Sequence, residues 1–429
     1  MRNSKIKVAE MFAGVGGFHL GLRKASKNYE VIWANQYEPA ITRQFAFNIY
    51  EKNFKNTIAS NEDISKLNKS IIPDVDLLVG GFPCQDYSVA SSGAEGLYGK
   101  KGVLWWDIKD VIEEKWPQYI FLENVDRLLT SPGVKSNNPG RDFGMMLRTL
   151  SDLGYGVSWK MINAADYGFP QRRRRTFIFA FREDTVFKNI VKKSITEDKV
   201  LEYLQEMPPF SSSLKNKNTC DLQQIDLNQY KTLIDFSDKF KIKRGFRKTG
   251  IMIDGQAYTA DYEPELRDIA TLESIIKPNE ENESLYLTQE KIDKFKQLKN
   301  GFQTIKTSKT GHSYKYGMGK MVFPDPINLP ARTMVTSEHT VSRMSHVVKD
   351  PGNKRLRVIS PQEAELINTF PPDWTKLEGV TESNRYFTMG NALVVDLVKE
   401  IAIELEKIIN SDNKNSDFRK EKIFERIEH

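Results

Sequence analysis

Over its first 185 residues the chain alternates short apolar runs with stretches whose apolar residues recur at three- and four-residue steps. Ile6–Phe12 is such a run and predicts a strand, and Gly17–Ser26 has helical spacing. Val31–Asn35 reads as a short strand, Ala40–Tyr50 as a helix and Asp76–Val79 as a strand again. Helical spacing over Trp106–Lys115 precedes the apolar strand Tyr119–Leu122. A helix over Arg141–Leu153 then leads into strands at Val157–Ile162 and Thr176–Phe181. Uninterrupted apolar runs suit strands buried on both faces, and i, i+3, i+4 spacing suits helices that cover them. Strands alternating with helices in this way predict an α/β fold: a doubly wound, mostly parallel sheet.

The pattern changes near residue 185. Residues 186–350 are rich in Lys, Asn, Ser and Thr, and their apolar periodicity is irregular. Within them Lys239–Lys248, K-F-K-I-K-R-G-F-R-K, interleaves basic residues with Phe240 and Phe246. That composition suits phosphate contacts with aromatic stacking, or equally a charged, solvated strand or loop. From about 355 regular structure returns, with a helix at Pro361–Thr369 and a longer amphipathic one at Ala392–Ile409. A charged tail follows from Asn410. No internal repeat is visible.

A length of 429 residues suggests two domains, and 39% hydrophobic residues is enough for a real core. Two cysteines cannot form a disulfide framework, which points to a reducing, intracellular setting. The N-terminus, Met1–Lys7, lacks the apolar segment of a signal peptide, and no stretch reaches the roughly 18 apolar residues of a membrane span. The net charge of +6 is only mildly basic. Five scattered histidines and two cysteines offer no zinc spacing, so no metal is expected.

Against this background one cysteine stands out. Residues 80–88 read G-G-F-P-C-Q-D-Y-S, so Cys84 leaves the end of a buried strand on a Gly- and Pro-rich loop, where an α/β sheet places its chemistry. After the first strand, residues 12–18 read F-A-G-V-G-G-F. Glycines there let a cofactor approach the backbone, although the G-x-G-x-x-G spacing is missing and a tight turn is the plainer reading. The second strand ends in N-Q-Y-E, Asn35 to Glu38, where a ribose ligand belongs, and a later segment offers E-D-I, Glu62 to Ile64. Asp63 there serves as a helix cap or as an adenine ligand. In F-L-E-N-V-D, residues 121–126, a carboxylate ends an apolar strand. It suits general acid work or a hydrogen bond to a ring nitrogen, and equally a satisfied strand-end carboxylate. Residues 170–176 read P-Q-R-R-R-R-T. If this is strand, Arg173 and Arg175 share a face. A thiol, a carboxylate, arginines and a glycine-rich turn together fit methylation of cytosine at C5. A thiolate added to C6 makes C5 nucleophilic, and a carboxyl group at N3 withdraws the charge that builds in the ring. The base must leave the duplex first.

In motif order the chain resembles the bacterial C5-cytosine DNA methyltransferases. F-A-G-V-G-G at 12–17 resembles their cofactor motif, G-F-P-C-Q at 81–85 the nucleophile loop, and G-K-K-G-V-L-W-W-D-I at 99–108 the motif after it. E-N-V at 123–125 resembles the catalytic Glu motif and Q-R-R-R-R at 171–175 the Q-x-R-x-R pattern. R-V-I-S-P-Q-E-A-E-L-I-N-T-F-P at 357–371 and M-G-N-A-L at 389–393 resemble the last two motifs, the second with Leu393 where Val is usual. The resemblance implies a Rossmann-like S-adenosylmethionine-dependent fold. Residues 1–185 and 355–410 would form the catalytic domain, 186–354 an inserted target recognition domain, and 411–429 a charged tail. It further implies that the C-terminal helix returns to pack beside the first strand.

It also implies roles. Cys84 would be the nucleophile and Glu123 the group that bonds or protonates N3 and the exocyclic amine. Arg175 would contact O2 of the base, with Arg173 on nearby backbone or on Glu123. Asn124 would hold the Pro83–Cys84 loop. S-adenosylmethionine, leaving as S-adenosylhomocysteine, would lie against Phe12, Gly14 and Gly16, near Asp63 and Ile64. Pro83, Leu104, Asn391 and Ala392 would complete its site. Where the family has a ribose-binding Glu this chain has Gln36, the preferred ribose ligand, with Tyr37 stacked on adenine and Glu38 as the alternative. Gln85, Ser88, Arg244, Arg247, Arg332 and Arg343, with the segment Ala331–Thr340, are candidate DNA contacts. The implied partner is double-stranded DNA. The implied setting is a monomeric protein in the bacterial cytoplasm, off the membrane, protecting DNA from a cognate restriction endonuclease. The wording of the motifs resembles methylases of G-A-T-C sites. Two rivals stand beside this reading: a tRNA cytosine-C5 methyltransferase and a catalytically inactive DNA-binding regulator. The long insert argues against the first, and intact Cys84, Glu123 and Arg175 against the second.

Overall fold

The computed structural model describes residues 5–82, 104–133, 137–195, 199–211, 213–307 and 313–415. They fall into two compact units. One comprises residues 1–167, 174–266 and 395–429, the other 168–173 and 267–394.

The first unit is built on a ten-stranded sheet. Its strands are β1 (Ile6–Met11), β2 (Tyr29–Asn35), β3 (Ile58–Ser60), β4 (Leu77–Gly81), β5 (Tyr119–Val125), β6 (Tyr155–Asn163), β7 (Arg174–Arg182), β8 (Asn216–Asp226), β9 (Thr249–Ile253) and β10 (Gln256–Pro264). They lie in the order β3-β2-β1-β4-β5-β7-β6-β9-β10-β8. The pairs from β3 to β5 are parallel and the rest antiparallel, so β7, β8 and β9 alone run against the common direction. Helices α1 (Gly17–Ala25), α2 (Phe45–Asn53), α3 (Leu104–Lys115), α4 (Arg141–Asp152), α5 (Val186–Ser194), α6 (Val200–Gln205) and α7 (Leu233–Lys239) follow in chain order, and α11 (Val395–Asn415) returns at the end. The continuous apolar runs of β4 and β5 are buried on both faces, as their sequence requires. This is the Rossmann-like α/β architecture that the motif resemblance implies.

The chain moves outward from β1 to β3, then crosses back to β4 beside β1. The crevice at the carboxyl ends of β1 and β4 is therefore the switch point of the sheet. Register places Met11 beside Gly80 and Gly81 beside Glu123, so β1, β4 and β5 end side by side. The returning α11 packs on α1: Gly21 leaves room for Val398, and Tyr29 Oη donates to the Ala402 carbonyl (2.7 Å).

Residues 216–264, read from composition with the irregular insert, extend this sheet through β9 on β6. Two aromatic residues of that stretch neither stack on a ligand nor lie in solvent, the two readings its composition leaves open. Phe240 and Phe246 are 1% and 3% exposed, in a cluster with Phe143, Trp159 and Phe236. They are core, because burying a ring in this cluster removes more apolar area from water than an exposed stacking platform would.

The second unit contains α8 (Gln289–Lys299), the two-stranded ribbon β11 (Phe302–Thr307) and β12 (Ser313–Met318), and the pair β13 (Val347–Lys349) and β14 (Leu356–Val358). Helices α9 (Pro361–Ile367) and α10 (Glu382–Asn391) follow. Ser360 and Glu363 close a capping box at the start of α9, as S-P-Q-E allows. Among the described residues no helix is long and apolar enough to cross a membrane.

Candidate active site

The glycine-rich turn follows β1 directly. Phe12 and Gly14 adopt left-handed backbone (φ 54° and 56°), and Gly16, at φ 87°, precedes α1. A Cβ on Gly16 would lie 2.1 Å from the Phe54 ring, so only glycine fits there. Among the described residues nothing comes within 4 Å of the position a Cβ on Gly14 would take. The turn is fastened to the end of β2: Ala13 N donates to the Asn35 carbonyl (2.9 Å) and Gly14 N to Gln36 Oε1 (2.7 Å).

Gln36, expected at the ribose, thus uses its carbonyl oxygen to hold the turn. Two residues on, Glu38 is half-buried, and its Oε2 is buried without a hydrogen-bond partner. Burial raises its carboxyl above the usual range. Tyr37 is half-buried beside it. Asp63 Oδ1 accepts from Ser65 N (3.1 Å) and Ser65 Oγ (2.8 Å), closing a turn of its own, and Ile64 lies in the core. Leu104 opens α3 and packs against the same core.

Glu123 sits at the end of β5 and is 9% exposed. Arg175, on the neighbouring β7, places Nε 2.7 Å from Glu123 Oε1. On the other side, a Cβ on Gly81 would come within 3.2 Å of Glu123 Oε2, so the bare glycine at the end of β4 leaves the carboxylate its room. Asn124 Nδ2 donates to the Phe82 carbonyl (2.9 Å), fixing the backbone just ahead of Pro83. Pro83, Cys84, Gln85 and Ser88 lie outside the described residues.

Arg173 does not behave as strand alternation predicts. β7 begins at Arg174, one residue too late. Arg173 belongs to the second unit, is 2% exposed, and donates to the carbonyls of Met334 (3.4 Å) and Gly390 (3.1 Å). It therefore braces the segment that reads M-G-N-A-L. Asn391, exposed, is the last residue of α10, and Ala392 caps it by donating N–H to the Thr388 carbonyl (2.9 Å).

The candidate DNA contacts divide. Arg244 is exposed, whereas Arg247 pairs with Asp221 at 2.5 Å. Arg332 is held by Asp325 (2.7 Å) and by the carbonyls of Met344 and Ser345. Arg343 donates to the Leu298 and Gly319 carbonyls. Sequence reasoning missed two partners of site residues, Gly81 and the Gln36–Gly14 bond. Neither has a local signal, since each depends on strands brought together from afar.

A family model described as C-5 cytosine-specific DNA methylase matches residues 6–407. The chain is 44% identical to the Type II methyltransferase M.Sau3AI of Staphylococcus aureus, over 96% of this chain and 98% of that protein. It is 27% identical to the Type II methyltransferase M.NgoBV of Neisseria gonorrhoeae, over 94% of this chain and 99% of that one. Among solved structures it resembles DNMT2 of Spodoptera frugiperda, with a TM-score of 0.58 at 15% identity over 94% of this chain and 99% of that one. The Dnmt2 methyltransferase of S. pombe gives 0.56 at 15% identity, over 94% and 99%.

Proposed function

Since the chain belongs to the C-5 cytosine-specific DNA methylases, and is a DNA cytosine-5-methyltransferase of the Type II kind, we propose that it methylates C5 of a flipped-out cytosine. The target is a short duplex site, and the reaction runs through a covalent Cys84–C6 adduct. The observation that carries this is the meeting of β1, β4 and β5 at the switch point. There the glycine turn, the backbone leading into the Cys84 loop and the Glu123–Arg175 pair leave adjacent strand ends.

The residues present fit S-adenosylmethionine. Among the described residues space is open over Gly14, and Glu38 Oε2 is a buried acceptor without a donor, suited to a ribose hydroxyl. We assign the ribose to Glu38 and the turn to Gln36, the reverse of the preference that sequence register suggests. Phe12, Tyr37 and Asp63 would border the same site. When bound, S-adenosylmethionine supplies an electrophilic methyl group to C5.

This chain's residues do the rest. The Cys84 thiolate forms a bond to C6, and the electron pair of the C5–C6 double bond moves toward C5 and N3. Glu123 holds a proton at N3 and so receives the charge that builds there, worth several kcal/mol in a water-poor site. Arg175 fixes the Glu123 carboxylate through Nε, its Nη1 donates to the Arg174 carbonyl (2.7 Å), and its Nη2 would serve O2 of the base. Loss of the C5 proton then restores the double bond and expels the Cys84 thiolate. Such an enzyme would protect its host's DNA from a partner endonuclease. The resemblance to methylases of G-A-T-C sites makes that cytosine the first to examine. The long inserted unit favours duplex DNA over tRNA.

Bisulfite sequencing of a plasmid from cells expressing the protein should show one methylated site. Cys84→Ser should abolish it, and residual methylation would remove Cys84 from its role. Glu123→Gln should retain DNA binding with turnover reduced about a hundredfold or more. Normal turnover would end its assignment.

A further inference from the structure

We propose that the β11–β12 ribbon is the element of the second unit that enters a groove of duplex DNA. Lys315 and Lys320 would lie on phosphates, with Gln303, on the same face as Lys315, toward base edges. The inference rests on the DNA methyltransferase reading and names the surface that reads the substrate.

The ribbon pairs from Phe302 opposite Met318 to Thr307 opposite Ser313, as a sheet of two strands only. Cross-strand partners share a face, so Phe302 and Met318 lie on one side and Ile305 and Lys315 on the other. Among the described side chains each side carries exposed apolar groups: Phe302 is 45% exposed, Met318 41% and Ile305 70%. Gln303, Thr304 and Lys315 are exposed as well. A two-stranded hairpin with exposed apolar groups on each face is at best marginally stable in water and gains from a partner that covers them.

Its base, by contrast, is firmly built. Gly301 turns into β11 at φ 88°, where a Cβ would sit 2.7 Å from the Met318 carbonyl oxygen. Met321 N donates to the Lys299 carbonyl (2.8 Å). Arg343 bridges the two ends of the ribbon through the carbonyls of Leu298 and Gly319. Lys299 is 1% exposed, with Nζ on Asp325 Oδ2 (3.0 Å) and the Ser345 carbonyl (2.9 Å). An anchored neck under a bare blade is the geometry of a probe held at a fixed angle. It also gives Arg343 a positioning role.

Charge selects the partner. From Asn300 to Pro324 the sequence has Lys306, Lys309, Lys315 and Lys320 and no Asp or Glu. A purely cationic, polar-and-apolar ribbon complements a polyanion. The major groove, about 12 Å wide, admits a two-stranded ribbon, and there Gln reads adenine and apolar groups meet thymine methyls.

The test uses the full-length protein and the site found by bisulfite sequencing. Duplex affinity is measured from about 50 to 200 mM salt for the parent chain and for Lys315→Gln with Lys320→Gln. Each lost phosphate contact should reduce the slope of log K against log salt by about 0.9, so the double variant should lose nearly 2. Gln303→Ala should reduce discrimination against a one-base mismatch by about tenfold. Calorimetric binding of S-adenosylhomocysteine should be unchanged in every variant, which excludes misfolding as the cause. Arg343→Ala should lose discrimination, and Arg343→Lys should recover part of it. Unchanged slope and discrimination in a parent chain that methylates its site would overturn the ribbon assignment alone. A change in oligomeric state without a change in slope would overturn it too. A parent chain that methylates no DNA would remove the enzymatic reading and the ribbon together.

Discussion

Glu38 shows how a single atom can redirect an assignment. Sequence register favours Gln36 for the ribose, but Gln36 Oε1 is engaged by Gly14 N, while Glu38 Oε2 is buried and unsatisfied. An unpaired buried carboxylate oxygen is costly, and a ribose hydroxyl would repay it with a charge-assisted bond worth about 1.5–3 kcal/mol. Glu38→Gln should therefore weaken S-adenosylhomocysteine binding about tenfold or more, by titration calorimetry, with the fold intact. Wild-type affinity would return the ribose to Gln36. Other site residues were legible beforehand to the extent that their signal was local. Glu123 is visible because the uninterrupted run Y-I-F-L ends in it. Arg173 misleads because strand alternation says nothing about where a strand begins. Its partners, the Met334 and Gly390 carbonyls, lie more than 150 residues away along the chain.

Elements were legible in proportion to how much of their burial pattern is regular. β1, β2, β4, β5, β6 and β7 carry clear apolar runs that mark them within a few residues, whereas β3, three residues with Ile58 exposed, has none. β8, N-K-N-T-C-D-L-Q-Q-I-D, is an edge strand that buries only Asn216 and Ile225, so no periodicity marks it. α9 lies at the opposite extreme. Its capping box is written in the sequence, but the ion network under it is not. Arg357, Asp350 and Glu363 are all fully buried, with Arg357 Nε on Asp350 at 2.9 Å and Nη2 on Glu363 at 2.8 Å. Burial opposes the Arg357 charge, yet the two carboxylates outweigh it and hold the guanidinium more firmly protonated than usual. Removing the cation leaves two buried anions, which costs about 3–5 kcal/mol. Arg357→Ala should accordingly destabilise the second unit by that order in urea unfolding, while the double variant Arg357→Met with Glu363→Gln recovers part of it. A loss under 1 kcal/mol for Arg357→Ala would show the network to be dispensable.

At the scale of the whole molecule, a buried carboxylate in each unit titrates with opposite sign. In the second, burial pushes Asp325 up, but its bond to Arg332, then His346 and Lys299, pull it down to about 2. That contribution is complete above the ordinary carboxylate pKa and disappears as pH falls through about 2. In the first unit, Glu10 on β1 is buried beneath α1, itself clamped by α11, and accepts a 3.2 Å bond from Tyr50 Oη through Oε2. Burial raises it to about 8, against smaller opposing effects from Tyr50 and the backbone N–H groups of His19 and Phe18. Between about 4.5 and 8 the folded chain therefore holds a proton that the unfolded chain has released. This contribution is full below about 4.5 and is lost as pH rises through about 8, at roughly 1.4 kcal/mol per pH unit. His19, kept neutral down to about 3 by burial and by Arg23, adds an acid-side loss in the same unit, so the parent curve alone mixes the two. Glu10→Gln separates them, since a neutral amide keeps the shape and has no proton to release. Measured by urea unfolding at pH 5 and pH 9, the variant should gain stability relative to the parent as pH rises, by a few kcal/mol. Parallel curves would mean that Glu10 is ionised throughout and that its burial is compensated by a partner.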